Sequence, residues 1–277
     1  MKKIRKGLFD MCISETQVDS QRDAQMIKFW DWYQKDWELD TFKIFDKFLN
    51  KEHDYMDIGA WIGPTVLYGA NLSRKCYCYE PDRLAFKYLT NNISENPNLK
   101  DKVKAFDFGV SNKNSSETFY VGEGSTSMSS LEPIWNKSLS YNIDVYDFQT
   151  TIEKSEIDFK SINFIKIDIE GGEYKLIPSL ISYIKKEQHY PTLYISLHAS
   201  FTFSTVWKKS ILHKLIAYVP KKVLARKMNK KILKEIYSVY KNIYLKNGKL
   251  LKHVNELGDA RAFSEIIATN LTIDETF

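Results

Sequence analysis

The amino-acid sequence predicts an α/β fold: a seven-stranded, mostly parallel sheet with helices on both faces. Short apolar runs of strand character alternate along the chain with amphipathic helical patterns, which is typical of sheets built from strand–helix–strand units. Glycines or charged residues follow directly after several of these runs, as they do at strand ends that face a ligand. The length of 277 residues suits one such domain with additions.

The strand candidates are short runs that are rich in apolar, β-branched or aromatic side chains. They are Tyr55–Gly59, Cys76–Tyr79, Lys102–Phe108, Glu117–Val121, Asn142–Phe148, Asn163–Ile169, Thr192–Leu197 and Phe263–Thr269. Helical patterns lie between them at Thr65–Leu72, Leu84–Ile93 and Glu173–Ile184. The Asn163–Ile169 run is the clearest buried strand, because it consists mostly of Phe and Ile.

Residues 1–50 are predicted to form a helical cap in front of the main domain at residues 51–277. Aromatic side chains recur every three or four positions between Asp19 and Leu49, which indicates a helix with one apolar face. Asp40 or Thr41 is a candidate N-cap for a second helical piece.

A strongly basic segment precedes the last predicted strand. Thr205–His253 holds 14 Lys and Arg residues and one acid, a charge of +13, so the rest of the chain carries 5 − 13 = −8. Val206–Lys246 is mostly helical in pattern and is split by Pro220, so residues 205–253 are predicted to be a basic helical insertion. Its lysines form a solvated helix face or contact an anionic membrane or a phosphorylated substrate. Nucleic acid is not expected, because no recognition motif accompanies the charge.

The turn after the first predicted strand is a candidate nucleotide-binding turn. A glycine at position 59 allows a sharp turn and close approach of a ligand to the backbone. A second glycine, at position 63, allows the following helix to pack close to the sheet. Without further evidence the same string also fits an ordinary strand-to-helix turn. The candidate cofactor-binding residues of this turn are Asp57, Gly59, Ala60 and Gly63.

The second predicted strand ends at Glu80, which Pro81 follows, 21 residues after Gly59. A carboxylate at that place can accept hydrogen bonds from both hydroxyls of a ribose. A dinucleotide would need a small residue where Trp61 stands, because the pyrophosphate must approach the turn closely. The sequence therefore favours S-adenosylmethionine (SAM), a nucleoside without phosphate, over a dinucleotide.

The predicted strand Asn163–Ile169 runs into an acid-rich string, Lys166–Glu173. Burial of so much charge in a parallel sheet is costly unless the charges have a role, although an acid such as Glu173 also suits an ordinary helix start. His198 ends the next predicted strand, and with Asp168 it could deprotonate a hydroxyl or bind a divalent cation. The candidate catalytic residues are Asp168, Glu170 and His198; a divalent metal on Asp168 and His198 is kept as an alternative that is not favoured.

These three strand ends together resemble the FkbM family of SAM-dependent methyltransferases, over roughly Met56–Leu180. The acid-rich string is the most specific part of the resemblance, and Trp61 departs from the Asn that the family often has. The resemblance implies a Rossmann-like fold, SAM as the cofactor, and methyl transfer to a hydroxyl, often of a sugar or glycan. It also implies SAM contacts from the end of the third strand, at Asp107 and Phe108.

Two alternatives stay open beside O-methylation of a sugar. One is methyl transfer to a nitrogen or a phospho group on the same scaffold, and the other is a binding protein that keeps the fold without catalysis. Three cysteines, no secretory signal and no long apolar run lead us to expect a cytoplasmic protein, with membrane contact through the basic segment as an option.

Overall fold

The computed structural model describes residues 1–15, 19–121, 129, 131, 139–199, 221–253 and 264–273. Its strands are β1 (Lys2–Lys6), β2 (Phe9–Ile13), β3 (Asp54–Ile58), β4 (Cys76–Tyr79), β5 (Val103–Phe106), β6 (Gly109–Ser111), β7 (Ser115–Val121), β8 (Leu139–Asp147), β9 (Ile162–Ile167), β10 (Thr192–Leu197), β11 (Asn242–Leu245) and β12 (Ser264–Thr269). Its helices are α1 (Gln21–Tyr33), α2 (Leu39–Phe48), α3 (Pro64–Leu72), α4 (Arg83–Ser94), α5 (Pro97–Lys100), α6 (Phe148–Lys154), α7 (Glu173–Glu187) and α8 (Lys221–Tyr237).

Seven strands form the central sheet, in the order β11-β12-β10-β9-β3-β4-β5. Strands β10, β9, β3, β4 and β5 are parallel, whereas β12 runs antiparallel to both of its neighbours. All residues of β3, β4 and β10 are buried, as expected for parallel strands that are covered on both faces. The predicted mixed α/β fold with a mostly parallel, seven-stranded sheet is confirmed.

Helices cover the sheet on both faces. Along β4 the side chains alternate between two hydrophobic clusters: Cys76 and Cys78 belong to one, Tyr77 and Tyr79 to the other. Successive side chains of a strand point to opposite faces of its sheet, so the clusters lie on opposite faces. The first cluster includes residues of α1 to α5, and the second includes residues of α6, α7 and α8.

The strand order places a crevice beside β3. From β3 the parallel strands run outward through β4 and β5 on one side and through β9 and β10 on the other. In open α/β sheets the ligand site lies outside the carboxyl ends of the strands at such a switch point. Most of the site residues predicted from the sequence lie at the carboxyl ends of β3, β4, β9 and β10.

Two of the predicted strands lie outside the central sheet. Strands β6, β8 and β7 form a separate small sheet, in which β7 and β8 are antiparallel. Strand β8, predicted as Asn142–Phe148, ends at Asp147. The side chain of Asp147 accepts a hydrogen bond from the backbone N–H of Thr150 and so caps α6.

The N-terminal segment is only partly helical, contrary to the prediction for residues 1–50. It begins with an antiparallel hairpin of β1 and β2, and α1 and α2 follow. Hydrogen bonds join the hairpin to α4 and the residues after it: the backbone N–H of Ser14 donates to Oδ1 of Asn92, and that of Cys12 donates to Oδ1 of Asn96, both at 2.9 Å. The hairpin was missed because its strands are only five residues long, β1 is mostly basic, and their apolar contacts come from distant parts of the chain.

The basic segment at 205–253 is not a purely helical insertion. Residues 205–220 lie outside the described residues, and α8 and β11 follow them. Helix α8 contributes the buried Ile232, Leu233 and Ile236 to the core, and β11 is the edge strand of the central sheet. The predicted helix therefore ended too late: Ile243 and Tyr244 are almost fully buried by pairing with β12, and that long-range contact decides their conformation. Among the described residues, no helix has the length and apolar character to cross a membrane.

Candidate active site

A cavity of about 790 Å³ opens at the carboxyl ends of the central strands. Its walls come from the turns after β3, β4, β9 and β10, and from α1 with the residues that follow it. The predicted site residues that line it are Gly59, Ala60, Glu80, Pro81, Phe108, Asp168, Glu170 and His198. Asp57, Gly63 and Asp107 do not line it.

The turn after β3 lies directly against the residues that follow β9. Gly59 has φ +90°, and a Cβ atom there would lie 1.8 Å from the backbone oxygen of Asp168. Only glycine tolerates that contact and that backbone conformation. Gly63, with φ +96°, ends the turn at the start of α3, where a Cβ atom would lie 2.9 Å from Leu89. Gly59 therefore allows the turn after β3 to lie in direct contact with the residues that follow β9.

Glu80 is held in place by two backbone N–H groups, one in the turn after β3 and one in the turn after β4. Its Oε2 accepts a hydrogen bond of 2.8 Å from the backbone N–H of Trp61, and its Oε1 accepts one of 2.8 Å from that of Asp82. Burial, together with the nearby charge of Asp82, raises the pKa of Glu80 to about 8. Trp61 itself holds a left-handed conformation, φ +49°, so the glutamate stabilises a strained turn.

Asp57 is fully buried and binds neighbouring side chains next to the cavity. Its Oδ2 accepts hydrogen bonds from the hydroxyls of Tyr55 at 2.7 Å and Thr65 at 2.6 Å, and its Oδ1 lies 3.2 Å from Nζ of Lys166. Lys166 also donates to the backbone oxygen of Gly59 at 3.3 Å. The buried pair of Asp57 and Lys166 thus ties β3 to β9 below the turn, a positioning role that differs from the predicted cofactor contact.

Four side chains form an acid–histidine cluster at the ends of β9 and β10: Asp168, Glu170, Glu173 and His198. The Nε2 atom of His198 lies 3.6 Å from Oδ1 of Asp168 and 3.6 Å from Oε2 of Glu170. On the other side of the ring, Nδ1 lies 3.0 Å from Oε1 of Glu173. Glu173 is fully buried and accepts hydrogen bonds from the backbone N–H groups of Ile169 and Gly171. The sequence predicted the three cavity-facing members; the structure adds Glu173 as the residue that holds the histidine.

Burial and neighbouring charges shift the pKa values of His198 and Glu170. Burial alone would lower the pKa of His198, but the hydrogen bond and charge of Glu173, with the charges of Asp168 and Glu170, raise it to about 10. Burial raises the pKa of Glu170 to about 8, with the charge of His198 acting against that shift. In the absence of any ligand, His198 is therefore positively charged at neutral pH.

Another wall of the cavity comes from α1, and the sequence identified none of its residues as part of a site. Its aromatic pattern divides in two: Trp30 and Tyr33 are buried in the core, whereas Phe29 and Trp32 line the cavity. Trp32 is 57% exposed, and the ring of Phe29 packs edge-on to Trp61 with centroids 4.5 Å apart. Charged side chains lie among these rings; they are Lys28, Asp31, Lys35 and Glu38.

The same part of the chain matches a known family. The model of the methyltransferase FkbM domain matches residues 57–234, from the end of β3 to the last turn of α8. The chain belongs to the FkbM methyltransferase family. The resemblance seen in the strand-end motifs is thereby confirmed, and no curated protein matches this FkbM methyltransferase at a significant level.

Solved structures with a similar fold include several methyltransferases. Methyltransferase FkbM from Methylobacillus flagellatus KT is 17% identical, with a TM-score of 0.42, and the match covers 82% of this chain and 50% of that one. An O-methyltransferase from Bacillus cereus in complex with SAH is 11% identical, TM-score 0.44, with 91% and 90% covered. A SAM-dependent O-methyltransferase from Thermotoga maritima is 11% identical, TM-score 0.41, with 94% and 69% covered. This FkbM methyltransferase thus spans about half the length of its Methylobacillus relative.

Proposed function

We propose that this FkbM methyltransferase transfers a methyl group from SAM to a hydroxyl of a sugar or glycan. The observation that carries the proposal is that one cavity joins three sets of residues. The first set is the turn of Gly59 with the carboxylate of Glu80, the second is the acid–histidine cluster at the ends of β9 and β10, and the third is the group of aromatic and charged side chains of α1.

The cofactor half of the cavity suits a nucleoside. Glu80 is held in place by two backbone N–H groups and lines the cavity, and a fixed carboxylate is a good acceptor for a ribose diol. Pro81 and Phe108 add apolar surface beside it, which suits the flat base of an adenosine.

The acid–histidine cluster suits the proton transfer that accompanies O-methylation. As the acceptor oxygen bonds to the methyl carbon, the carbon–sulfur bond breaks, S-adenosylhomocysteine (SAH) leaves, and the hydroxyl proton must go to a base. Asp168 is the best-placed base, because its carboxylate lines the cavity and its side chain is 29% exposed. When no cation is bound, His198 carries a proton of its own at neutral pH and holds the carboxylates in place.

The acceptor half suits a polyhydroxylated ligand. Aromatic rings such as those of Phe29 and Trp32 can pack against the C–H face of a sugar, while neighbouring charged groups bind its hydroxyls. Lys28 and Asp31 supply such groups on the same helix. This combination favours a sugar over a purely apolar acceptor.

The direct test is a methyl-transfer assay with labelled SAM and a panel of sugars, nucleotide sugars and glycan fragments, followed by identification of the methylated atom. The proposal predicts a new O–CH₃ group and loss of transfer in the Asp168→Asn variant. A product methylated on nitrogen or on a phospho group would replace the proposed acceptor. SAM binding without turnover across the panel would instead support a binding protein. A separate variant, Trp32→Ala, tests whether the aromatic side chains of α1 contribute to acceptor affinity.

We further propose that the exposed surface of α8 contacts an anionic membrane. Its basic face consists of five exposed side chains: Arg226, Lys227, Lys230, Lys231 and Lys234. At the periodicity of an α-helix these residues fall within an arc of about 140°. Co-sedimentation of the full chain with anionic and with neutral vesicles tests the proposal: binding should require anionic lipid and should fall steeply with salt. Failure to bind anionic vesicles at low salt would leave the basic face as a solvated surface.

A further inference from the structure

We propose that Asp168, Glu170 and His198 bind a divalent cation in the cavity. The location follows from geometry alone; only the role of the cation in methyl transfer rests on the proposed function. Each of the three residues offers one ligand atom, and these atoms all lie within 4.8 Å of one another. All three residues line the same cavity.

The spacing of the ligand atoms suits a shared ion. The distance from Nε2 of His198 is 3.6 Å to Asp168 and 3.6 Å to Glu170, longer than a good hydrogen bond. Two ligands that bind one ion at about 2.1 Å lie about 3.0 to 3.4 Å apart in octahedral or tetrahedral geometry. Movements of a few tenths of an ångström would therefore bring Nε2 of His198 and either carboxylate oxygen to coordination distance of one ion, and the two carboxylate oxygens lie within 4.8 Å of each other.

Glu173 prepares the histidine for this role. A metal-bound histidine usually donates its other ring N–H to a carboxylate, which fixes the orientation and tautomer of the ring. Nδ1 of His198 lies 3.0 Å from Oε1 of Glu173, and Glu173 is itself held by two backbone N–H groups. The opposite nitrogen, Nε2, is thereby directed to the two carboxylates that line the cavity.

The nearby lysine does not neutralise this cluster. Nζ of Lys166 lies 3.2 Å from Asp57 and 3.7 Å from Oδ2 of Asp168, so its charge is shared, and Oδ1 of Asp168 is the oxygen nearer to His198. A set of one imidazole and two carboxylates is typical of sites for Mn²⁺, Fe²⁺ or Zn²⁺. An ion held from one side would keep open positions toward the cavity, where the acceptor hydroxyl could coordinate with a lowered pKa.

The test is a titration of the full chain with Mn²⁺, followed by electron paramagnetic resonance, with neither SAM nor acceptor present. We expect a single site in the wild type, and an affinity at least tenfold weaker in Glu170→Gln and in His198→Gln. The Glu173→Gln variant should weaken binding by about 10- to 100-fold, as for other residues that orient a ligand. The matched control is Asp101→Asn, an exposed acid outside the cavity, which should bind Mn²⁺ like the wild type.

Thermal melting of every variant shows whether a loss of binding reflects unfolding, and the result counts from those variants that fold. No Mn²⁺ binding by the wild type, or equal binding in folded Glu170→Gln and His198→Gln, would overturn the proposal. Displacement of Mn²⁺ by SAH would also overturn it, because the cluster would then receive the charged end of the cofactor. Mn²⁺ binding can fail while methyl transfer persists, and the reverse can also occur, so the two proposals are tested separately.

Discussion

The acid–histidine cluster and the basic face of α8 differ in how their charged side chains are placed: those of the cluster are largely buried and fixed, whereas those of α8 are exposed to solvent. In the cluster, His198 and Glu173 are buried and held by short contacts to one another and to the backbone. On α8 the five cationic side chains project from the helix into solvent. Charges that are fixed in a low-dielectric site act strongly on whatever binds there, whereas exposed charges act together, at longer range, and are screened by salt. Single substitutions should therefore have large effects in the cluster and small effects on α8.

The largest effect is expected for Asp168→Asn. The variant should lose about 100-fold or more of its turnover, because the group that receives the acceptor proton, or helps to polarise the hydroxyl, is removed. SAH affinity should stay within a few-fold of the wild type in calorimetry, since the acid lies at the end of β9, away from Glu80. Turnover near the wild-type value would show that the cluster does not take part in the chemistry.

The next effect concerns Glu80→Ala, which should weaken SAH binding by roughly 2 to 3 kcal/mol at about pH 9, where the Glu80 carboxyl is ionised, through loss of charge-assisted hydrogen bonds. Because Glu80 also holds the backbone of Trp61 and Asp82, a loosened turn could produce the same loss. A 2′,3′-dideoxy analogue of SAH separates the two causes. If the ribose hydroxyls bind Glu80, the substitution should weaken SAH much more than the analogue; an equal loss for both ligands would leave Glu80 with a purely structural role.

A smaller effect is expected for the double variant Lys230→Gln, Lys231→Gln on α8. Each lysine near an anionic membrane contributes about 1 kcal/mol, so loss of two should lower vesicle affinity by up to about 30-fold, with SAH affinity unchanged. The control is Lys43→Gln, Lys47→Gln, which removes two exposed lysines of α2 on the other face of the sheet. Equal losses in both double variants would mean that net charge, not the basic face, governs membrane contact.

The smallest effect is a pH dependence of SAH binding. Because the pKa of Glu80 is raised to about 8, its carboxyl is largely neutral at lower pH and becomes a stronger acceptor as pH rises through that value. SAH affinity should increase several-fold between about pH 6.5 and about pH 9. The Glu80→Gln variant cannot titrate at this position and should lose that increase; the same increase in both proteins would assign it to another group.

The parts of the fold that sequence predicts well are those in which local pattern and burial agree. The buried strands β3, β4, β9 and β10 are mostly apolar or aromatic, and glycines or charged residues follow them, so the strand-end residues of the cavity could be predicted. Strand β11 and the N-terminal hairpin are short and depend on partners far away in the chain, and local pattern gives little information about them.

The candidate site shows the same division at the level of side chains. Sequence places Asp57 at a strand end, but only the packing shows that it faces Lys166 instead of the cavity. The aromatic pattern of α1 indicates a helix, yet which of its rings enter the core depends on how the helix lies against the sheet. Trp30 and Trp32 differ by only two positions, and one is buried while the other is 57% exposed.

A crystal structure of the full chain with SAH bound would test the central claim most directly. The account predicts that SAH occupies the cavity at the ends of β3 and β4, with its ribose hydroxyls within hydrogen-bond distance of Glu80. Its sulfur should face the space between Asp168 and the aromatic wall of α1. SAH bound elsewhere, or bound here with its sulfur turned away from Asp168, would contradict the account.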